Sequence, residues 1–421
     1  MNLSDFYIDQ QLLERINPVF NTAKMTLFQL ASTGDKNAIE ISDRLGLTKE
    51  GTQDNTTQDE LLLNSIILET RYRTMGALAE KESFATKVDL PCGYTPRAIE
   101  FAGKGLKFVG LDLPAAITEA APVITSLIDE KDRELVTFKG IDATNYDSLK
   151  EAFDEIDGEV CITTEGLLMY FTDSEAGELC NNIRRILIEH GGCWLLADGE
   201  TAIQYILTTK AVYGDNFMEV LLRGQKRAQD RSDVDVVSRT LVVNPNDAEE
   251  NMKNAFSFLA KHGLKAERMV VADYAPELNG LKNATPDQQK AIKEAMTQFA
   301  YWKITPMVAD KLDTDVARSE NFDLEAEFTS SLLYLRLQGR LDTLSSPGLL
   351  AFYEKTVGLY TIDEAVVDCT SLEYISSAGL RVLLIMQKKC KRGLTLKGIN
   401  NNVREILVQT GFNEVFNIEE N

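Results

Sequence analysis

Apolar residues recur along this 421-residue chain in two rhythms, and the change between them divides it. Over residues 7–85 the spacing is helical. Residues 7–20 and 23–31 carry apolar side chains three and four apart, and residues 57–81 bear a long stripe that includes Leu61, Leu62, Leu63, Ile66, Ile67 and Leu68. Residues 51–58 form a polar, Asn/Thr-rich loop between them. From Thr86 onward, short apolar runs alternate with helical stretches: KVDL (87–90), KFVGLDL (107–113), LVTFKG (135–140), EVCITT (159–164) and CWLLAD (193–198). SRTLVVN (238–244), KAERMVVADY (265–274) and residues 301–305 are expected to finish the set. Strands separated by helices pair in parallel through right-handed crossovers, so the pattern predicts a doubly wound α/β sheet behind a helical prelude over 1–85.

Residues 309–328, ADKLDTDVARSENFDLEAEF, hold seven acids against two bases and are expected to be a solvated linker. The strand–helix pattern then restarts. LLYLRLQG (332–339), EAVVDCT (364–370) and residues 394–397 read as strands; residues 347–354, 378–389 and 402–410 read as helices. The organisation is therefore a first domain over 1–308, a linker over 309–328 and a small α/β domain over 329–421.

Charge and cysteines narrow the class of protein. The net charge is −21, from 65 acidic and 44 basic residues, so phosphate backbones and anionic lipid are repelled and neither nucleic acid nor a membrane is an expected partner. The six cysteines have no CxxC pair and sit in apolar runs such as EVCIT and GGCWLL, as reduced, buried cysteines do. MNLSDFYIDQ lacks a basic head and apolar core, and no apolar run is long enough to span a bilayer, so a cytoplasmic location is expected.

In an open parallel sheet, ligands bind beyond the carboxyl ends of the strands near the switch in strand order. The residues after the strands are therefore the candidate site. Pro91-Cys92-Gly93-Tyr94-Thr95-Pro96 follows the first, Leu111-Asp112-Leu113-Pro114 ends the second, Ile141-Asp142-Ala143-Thr144 follows the third and Glu165-Gly166 the fourth. Gly93 would let backbone approach a ligand, and Asp112 could accept hydrogen bonds from both hydroxyls of a ribose. Asp142 reads equally as a turn or cap residue and as a ligand to an adenine amino group, with Ala143 beside the ring. A dinucleotide site would need G-x-G-x-x-G; only Gly93 is present, followed by Thr95-Pro96-Arg97, so a cofactor without pyrophosphate fits better.

VDLPCGYTPRAIEFAGKGLKFVGLDLP resembles the first two motifs of the leucine carboxyl methyltransferase-like group within the Rossmann-type, class I S-adenosylmethionine-dependent methyltransferases. EGLLMYFTDSE (165–175) resembles that group's motif after the fourth strand, and Arg73-Thr74 its Arg-Thr pair. The resemblance implies S-adenosylmethionine as cofactor, with Arg73 binding the methionine carboxylate, Asp89 and Gly93 shaping the cradle, and Asp112 holding the ribose. It also implies that Asp142 and Ala143 meet adenine and that Glu165 lies near the methionine amino group. Where the family usually has Gly, two residues after the motif Asp, this chain has Pro91. Two activities follow: methyl transfer, or cofactor sensing without turnover.

Methyl transfer chiefly requires alignment of nucleophile and methyl group. His190 and His262 each precede Gly at an expected helix end, where the helix dipole favours them, so neither is an expected base and no His/Cys metal cluster is present. Tyr170 could orient an acceptor or simply pack. A small-molecule acceptor, with a carboxylate favoured by the absence of a base, is the expectation.

Residues 333–421 resemble a STAS domain throughout, in LYLRLQGRLDTLSSPGLL, EAVVDCTSLEYISSAGLRVLL and LKGINNNVREILVQTGFNEVFNI. Ser376 and Ser377 stand at the start of a helix, where N–H groups would stabilise an added phosphate or where a hydroxyl simply caps. The resemblance to anti-sigma factor antagonists implies phosphorylation of Ser377, two residues before Gly379, with Ser376 as the alternative. It also implies an anti-sigma factor or serine kinase as partner. The family often has Asp where Ser376 stands.

Overall fold

The computed structural model describes residues 23–47, 57–230, 240–307, 310–329, 332–360, 362, 364–391 and 393–419. The chain divides into two compact units, Met1–Leu259 with Leu264–Pro306, and Met307–Asn421 with Ala260–Gly263. Among the described residues the first unit has a seven-stranded sheet: β1 (Thr86–Asp89), β2 (Lys107–Asp112), β3 (Val136–Gly140), β4 (Val160–Thr164), β5 (Gly192–Leu196), β6 (Leu264–Val270) and β7 (Ala300–Pro306). Their order is β3-β2-β1-β4-β5-β7-β6. Strands β1 to β5 are parallel, and β7 lies antiparallel between β5 and β6.

Successive residues of the central strands enter different cores because side chains alternate across a sheet. Cys161, Cys193 and Leu195 join one cluster, while Val160, Ile162, Trp194 and Leu196 join another. Both faces are thus covered, as a parallel sheet requires. Prelude helices α1 (residues 23–32), α2 (Lys36–Arg44) and α3 (Gln58–Lys81) contribute to the first cluster. Helix α3 opens with a reciprocal capping box, the Thr57 hydroxyl accepting from Glu60 N–H and the Glu60 carboxylate from Thr57 N–H. The remaining helices are α4 (Arg97–Gly103), α5 (Pro114–Ser126), α6 (Tyr146–Phe153), α7 (Asp173–His190), α8 (Thr201–Tyr213), α9 (Phe217–Asp230), α10 (Ala248–Lys261) and α11 (Pro286–Ala295).

The helix expected over 7–20, and most of the loop over 51–58, lie outside the described residues. The strand expected over 238–244 does not form across residues 240–244. Leu241 and Val243 are buried, and Val243 N–H donates to the Gly199 carbonyl outside any strand, so burial explains the apolar run.

Among the described residues the second unit has a six-stranded sheet in the order β13-β12-β11-β10-β9-β8, formed by β8 (Asp310–Lys311), β9 (Phe322–Thr329), β10 (Leu332–Leu341), β11 (Glu364–Ile375), β12 (Leu394–Lys397) and β13 (Asn417–Glu419). Helices α12 (Ser346–Leu359), α13 (Ser377–Lys389) and α14 (Asn401–Thr410) complete it. The acidic stretch 309–328 is therefore not simply a linker. Phe322, Leu324, Ala326 and Phe328 alternate with Asp323, Glu325 and Glu327, and β9 pairs antiparallel with β10 while burying those four. The alternation is that of a half-buried strand, with its acids on the solvent side.

Candidate functional site

The change in strand order falls between β1 and β4, where the chain turns to opposite sides of the sheet. A cavity of about 400 Å³ opens there, lined by residues following β1, β2 and β4 and by side chains of α1, α3 and α8. Asp89, Gly93, Asp112, Glu165 and Tyr170, all singled out in the sequence, line it together.

At the first turn the Leu90–Pro91 peptide is cis, and Gly93 has φ +54°, where glycine is favoured. A Cβ on Gly93 would meet no atom within 4 Å, so the backbone borders open space. Gly93 N–H donates to Asp112 Oδ2 at 2.8 Å, and Leu113 N–H to Asp112 Oδ1 at 2.7 Å. Each carboxylate oxygen keeps lone-pair capacity for a further donor. Burial raises the Asp112 pKa from its ordinary value, opposed by those two backbone bonds.

Behind the cradle lies a charged cluster. Arg97, at the start of α4, is buried, with Nη1 2.9 Å from Asp89 Oδ2 and Nη2 2.5 Å from Glu165 Oε1. Its Nη2 also donates to the Tyr72 carbonyl at 2.9 Å, and Thr163 Oγ1 donates to Asp89. Arg71 Nε stands 3.6 Å from Glu165 Oε2. The loop carrying Glu165 is organised from below by buried Asp198, whose carboxylate accepts from the N–H groups of Gly166 (2.6 Å), Leu167 (2.8 Å) and Leu168 (3.0 Å).

The structure departs from the sequence reading at three positions. Arg73 does not line the cavity: its Nε donates to Glu69 at 2.7 Å and its Nη2 to Asp35 at 3.2 Å. Glu69 is fully buried and also accepts from Asn279 and Gly280 N–H, both at 2.7 Å, so Arg73 neutralises a structural carboxylate. The arginines facing the cavity are Arg71 and Arg97. Asp142 is also outside the lining; its Oδ1 accepts from Thr144 N–H at 2.9 Å and Thr144 Oγ1 at 2.7 Å, a local turn. Ala143 packs in the core beneath α6 and α7. Neither histidine lines the cavity. Arg71, Arg97 and Asp198 escaped the sequence reading, although Arg71 had a signal: it shares a helical face with Asn64, Ile67 and Leu68.

In the second unit the two adjacent serines part company. Ser376 is the N-cap of α13, buried, its Oγ accepting from Gly379 N–H at 3.3 Å. Ser377 is the first helical residue and is exposed. Gly379 is needed for packing, since a Cβ there would stand 2.8 Å from the Leu341 carbonyl oxygen on β10. Asp342, in the turn after β10, is held below its ordinary pKa by N–H donation from Leu344 and Ser345.

The family model described as STAS domain matches residues 323–421, and the second unit carries that domain. A comparison with curated proteins gives no match. Among solved structures, an anti-sigma factor antagonist from Mycobacterium paratuberculosis is 18% identical over 24% of this chain and 88% of its own, with a TM-score of 0.22. Methyltransferases are also among the solved structures to which the chain is similar. Human N-acetylserotonin methyltransferase, solved in complex with SAM, is 14% identical over 67% of this chain and 66% of its own, with a TM-score of 0.29. The S-adenosylmethionine-dependent methyltransferase SibL is 13% identical over 68% and 70%, with a TM-score of 0.34. Among the described residues, no helix is long and apolar enough to cross a membrane, and no group of three or more His, Cys, Asp or Glu is placed to hold a metal.

Proposed function

We propose that the first unit is an S-adenosylmethionine-dependent methyltransferase acting on the oxygen of a small-molecule acceptor, and that the STAS domain controls it through phosphorylation of Ser377. The observation that carries the enzyme reading is the meeting of Gly93, Asp112, Glu165 and Arg71 at one cavity on the switch point of the sheet. The donor set fits the cofactor. Asp112 would receive the ribose hydroxyls, the open backbone at Gly93 would border the nucleoside, and Glu165 would take the methionine amino group. Arg71, rather than Arg73, would take the methionine carboxylate. When bound, the cofactor supplies an electrophilic methyl group on a sulfonium.

The chain's own work is alignment and exclusion of water. Buried Arg97 holds Asp89 and Glu165 in place, and Asp198 fixes the loop that presents Glu165. Met169 and Tyr170 follow on that loop, so the acceptor wall is positioned by the same carboxylate. Tyr170 would orient the acceptor.

In the STAS domain the exposed Ser377 hydroxyl stands in the first turn of α13, where a phosphate would meet the positive end of the helix, while Ser376 is committed to capping. An anti-sigma factor or serine kinase is the corresponding partner. Calorimetry with S-adenosylhomocysteine tests the first proposal: no binding removes it, and binding without turnover on any phenol or carboxylate would make the unit a cofactor sensor. Intact mass after treatment with an anti-sigma-type serine kinase tests the second; Ser377→Ala should abolish the added phosphate, and a persisting phosphate would refute the assignment.

A further inference from the structure

The cavity carries its own statement about the acceptor, resting on the proposed cofactor site. Among the described residues, five side chains of strong acid or base character line it: Asp89, Asp112 and Glu165 against Arg71 and Arg97. The carboxylates exceed the guanidinium groups by one, whereas the cofactor, with a sulfonium, an ammonium and a carboxylate, carries one net positive charge. Cofactor and cavity cancel, and both arginines already face Glu165. Among the described residues that line the cavity, no further cation is left to neutralise an anionic acceptor, and an unpaired charge is costly where binding excludes water.

The rest of the lining differs in chemistry. Helix α3 contributes Ile67 and Leu68, the loop after β4 contributes Met169 and Tyr170, and α8 contributes Tyr205. On α1, Gln29 also lines the cavity, and among the described residues its Oε1 is buried without a hydrogen-bond partner. A buried carbonyl oxygen without a donor is uncommon and asks for one. We propose that the methyl acceptor is a neutral, largely aromatic small molecule bearing an N–H or O–H group that donates to Gln29 Oε1, and not a carboxylate. The aromatic body packs on Met169, Tyr170 and Tyr205, a surface suited to a flat ring.

The test uses the full chain saturated with S-adenosylhomocysteine and two near-isosteric probes, 4-hydroxybenzamide and 4-hydroxybenzoate, titrated calorimetrically at pH 7. The neutral amide should bind about tenfold more tightly than the anion, and Gln29→Leu should weaken binding of the amide several-fold by removing the acceptor for its donor group. Equal or tighter binding of the benzoate overturns the proposal, as does failure of both probes while S-adenosylhomocysteine binds normally. Loss of S-adenosylhomocysteine binding itself would instead refute the cofactor reading, so the two failures are distinguishable. The comparison of probes on the unaltered chain needs no variant to fold.

Discussion

Two arginines two residues apart on α3 have different work to do. Arg71 reaches the cavity and Glu165; Arg73 turns the other way to Glu69 and Asp35. Arg71→Ala is expected to weaken S-adenosylhomocysteine binding at least about tenfold with little change in melting temperature, by analogy with other hydrogen bonds to a charged group. Arg73→Ala should do the reverse, costing about 2 kcal/mol because buried Glu69 loses its counter-charge, while affinity holds. Calorimetry and thermal unfolding on the two variants decide between them. Asp112 carries the pH dependence. Its pKa is raised by burial, so the folded state binds its proton at a pH where an unfolded Asp has already lost it. Its ionisation thus lowers stability as pH rises through the window between the two values, and stability is greatest below the unfolded pKa. Under the proposed function, binding runs the other way: ribose hydroxyls would donate to the ionised carboxylate, so affinity should fall on acidification before an ordinary Asp would titrate. Asp112→Asn should bind weakly and lose that part of the profile. The serine pair makes a matching contrast, with Ser376→Ala costing about 1 kcal/mol as a lost cap and Ser377→Ala costing almost nothing.

Helix α1 borders the cavity through Ala23, Met25, Thr26 and Gln29, and its charged anchor is outside the cavity. Lys24 Nζ stands 2.6 Å from Glu119 Oε1 on α5, and Tyr94 Oη of the cradle turn donates to Glu119 Oε2 at 2.6 Å. The pair is partly exposed, so its worth to stability is small. Lys24→Met should therefore leave the melting temperature nearly unchanged yet speed cofactor release several-fold, read by stopped-flow, because α1 would be held to α5 by fewer contacts. The strand β9 shows how element reading can miss. Its apolar residues alternate through FDLEAEF, but the acids between them dominate the composition and suggest a solvated segment. Only pairing with β10 reveals that those acids occupy one face of a sheet. The run 240–244 misleads in the opposite direction, being apolar and buried without joining a sheet.

At the scale of the whole chain, two units each carry their own buried apolar cluster or clusters. Separate cores allow separate transitions. Saturation with S-adenosylhomocysteine at a hundred times its Kd should stabilise only the first unit, by about 2.7 kcal/mol. Gly379→Ala should lower only the second transition, by about 1–3 kcal/mol, because the new methyl group strikes the β10 backbone. A calorimetric scan in which both changes move the same transition would contradict this division.

Local pattern alone determined much of this protein: the alternation of strands and helices from Thr86, the glycine turn at Gly93, Asp112 at the end of β2, and the serine pair at the head of α13. These features follow from backbone preferences and from the period of side chains along one element, which neighbouring residues dictate. Tertiary packing decided the rest. Helical period places Arg71 and Arg73 on different faces but does not say which face meets the cavity; that depends on how α3 packs against distant residues such as Asn279 and Gly280. Asp142 satisfies its own turn, and Gln29 lines a pocket built from elements far along the chain. Such outcomes rest on contacts between residues widely separated in sequence, and no local window contains them.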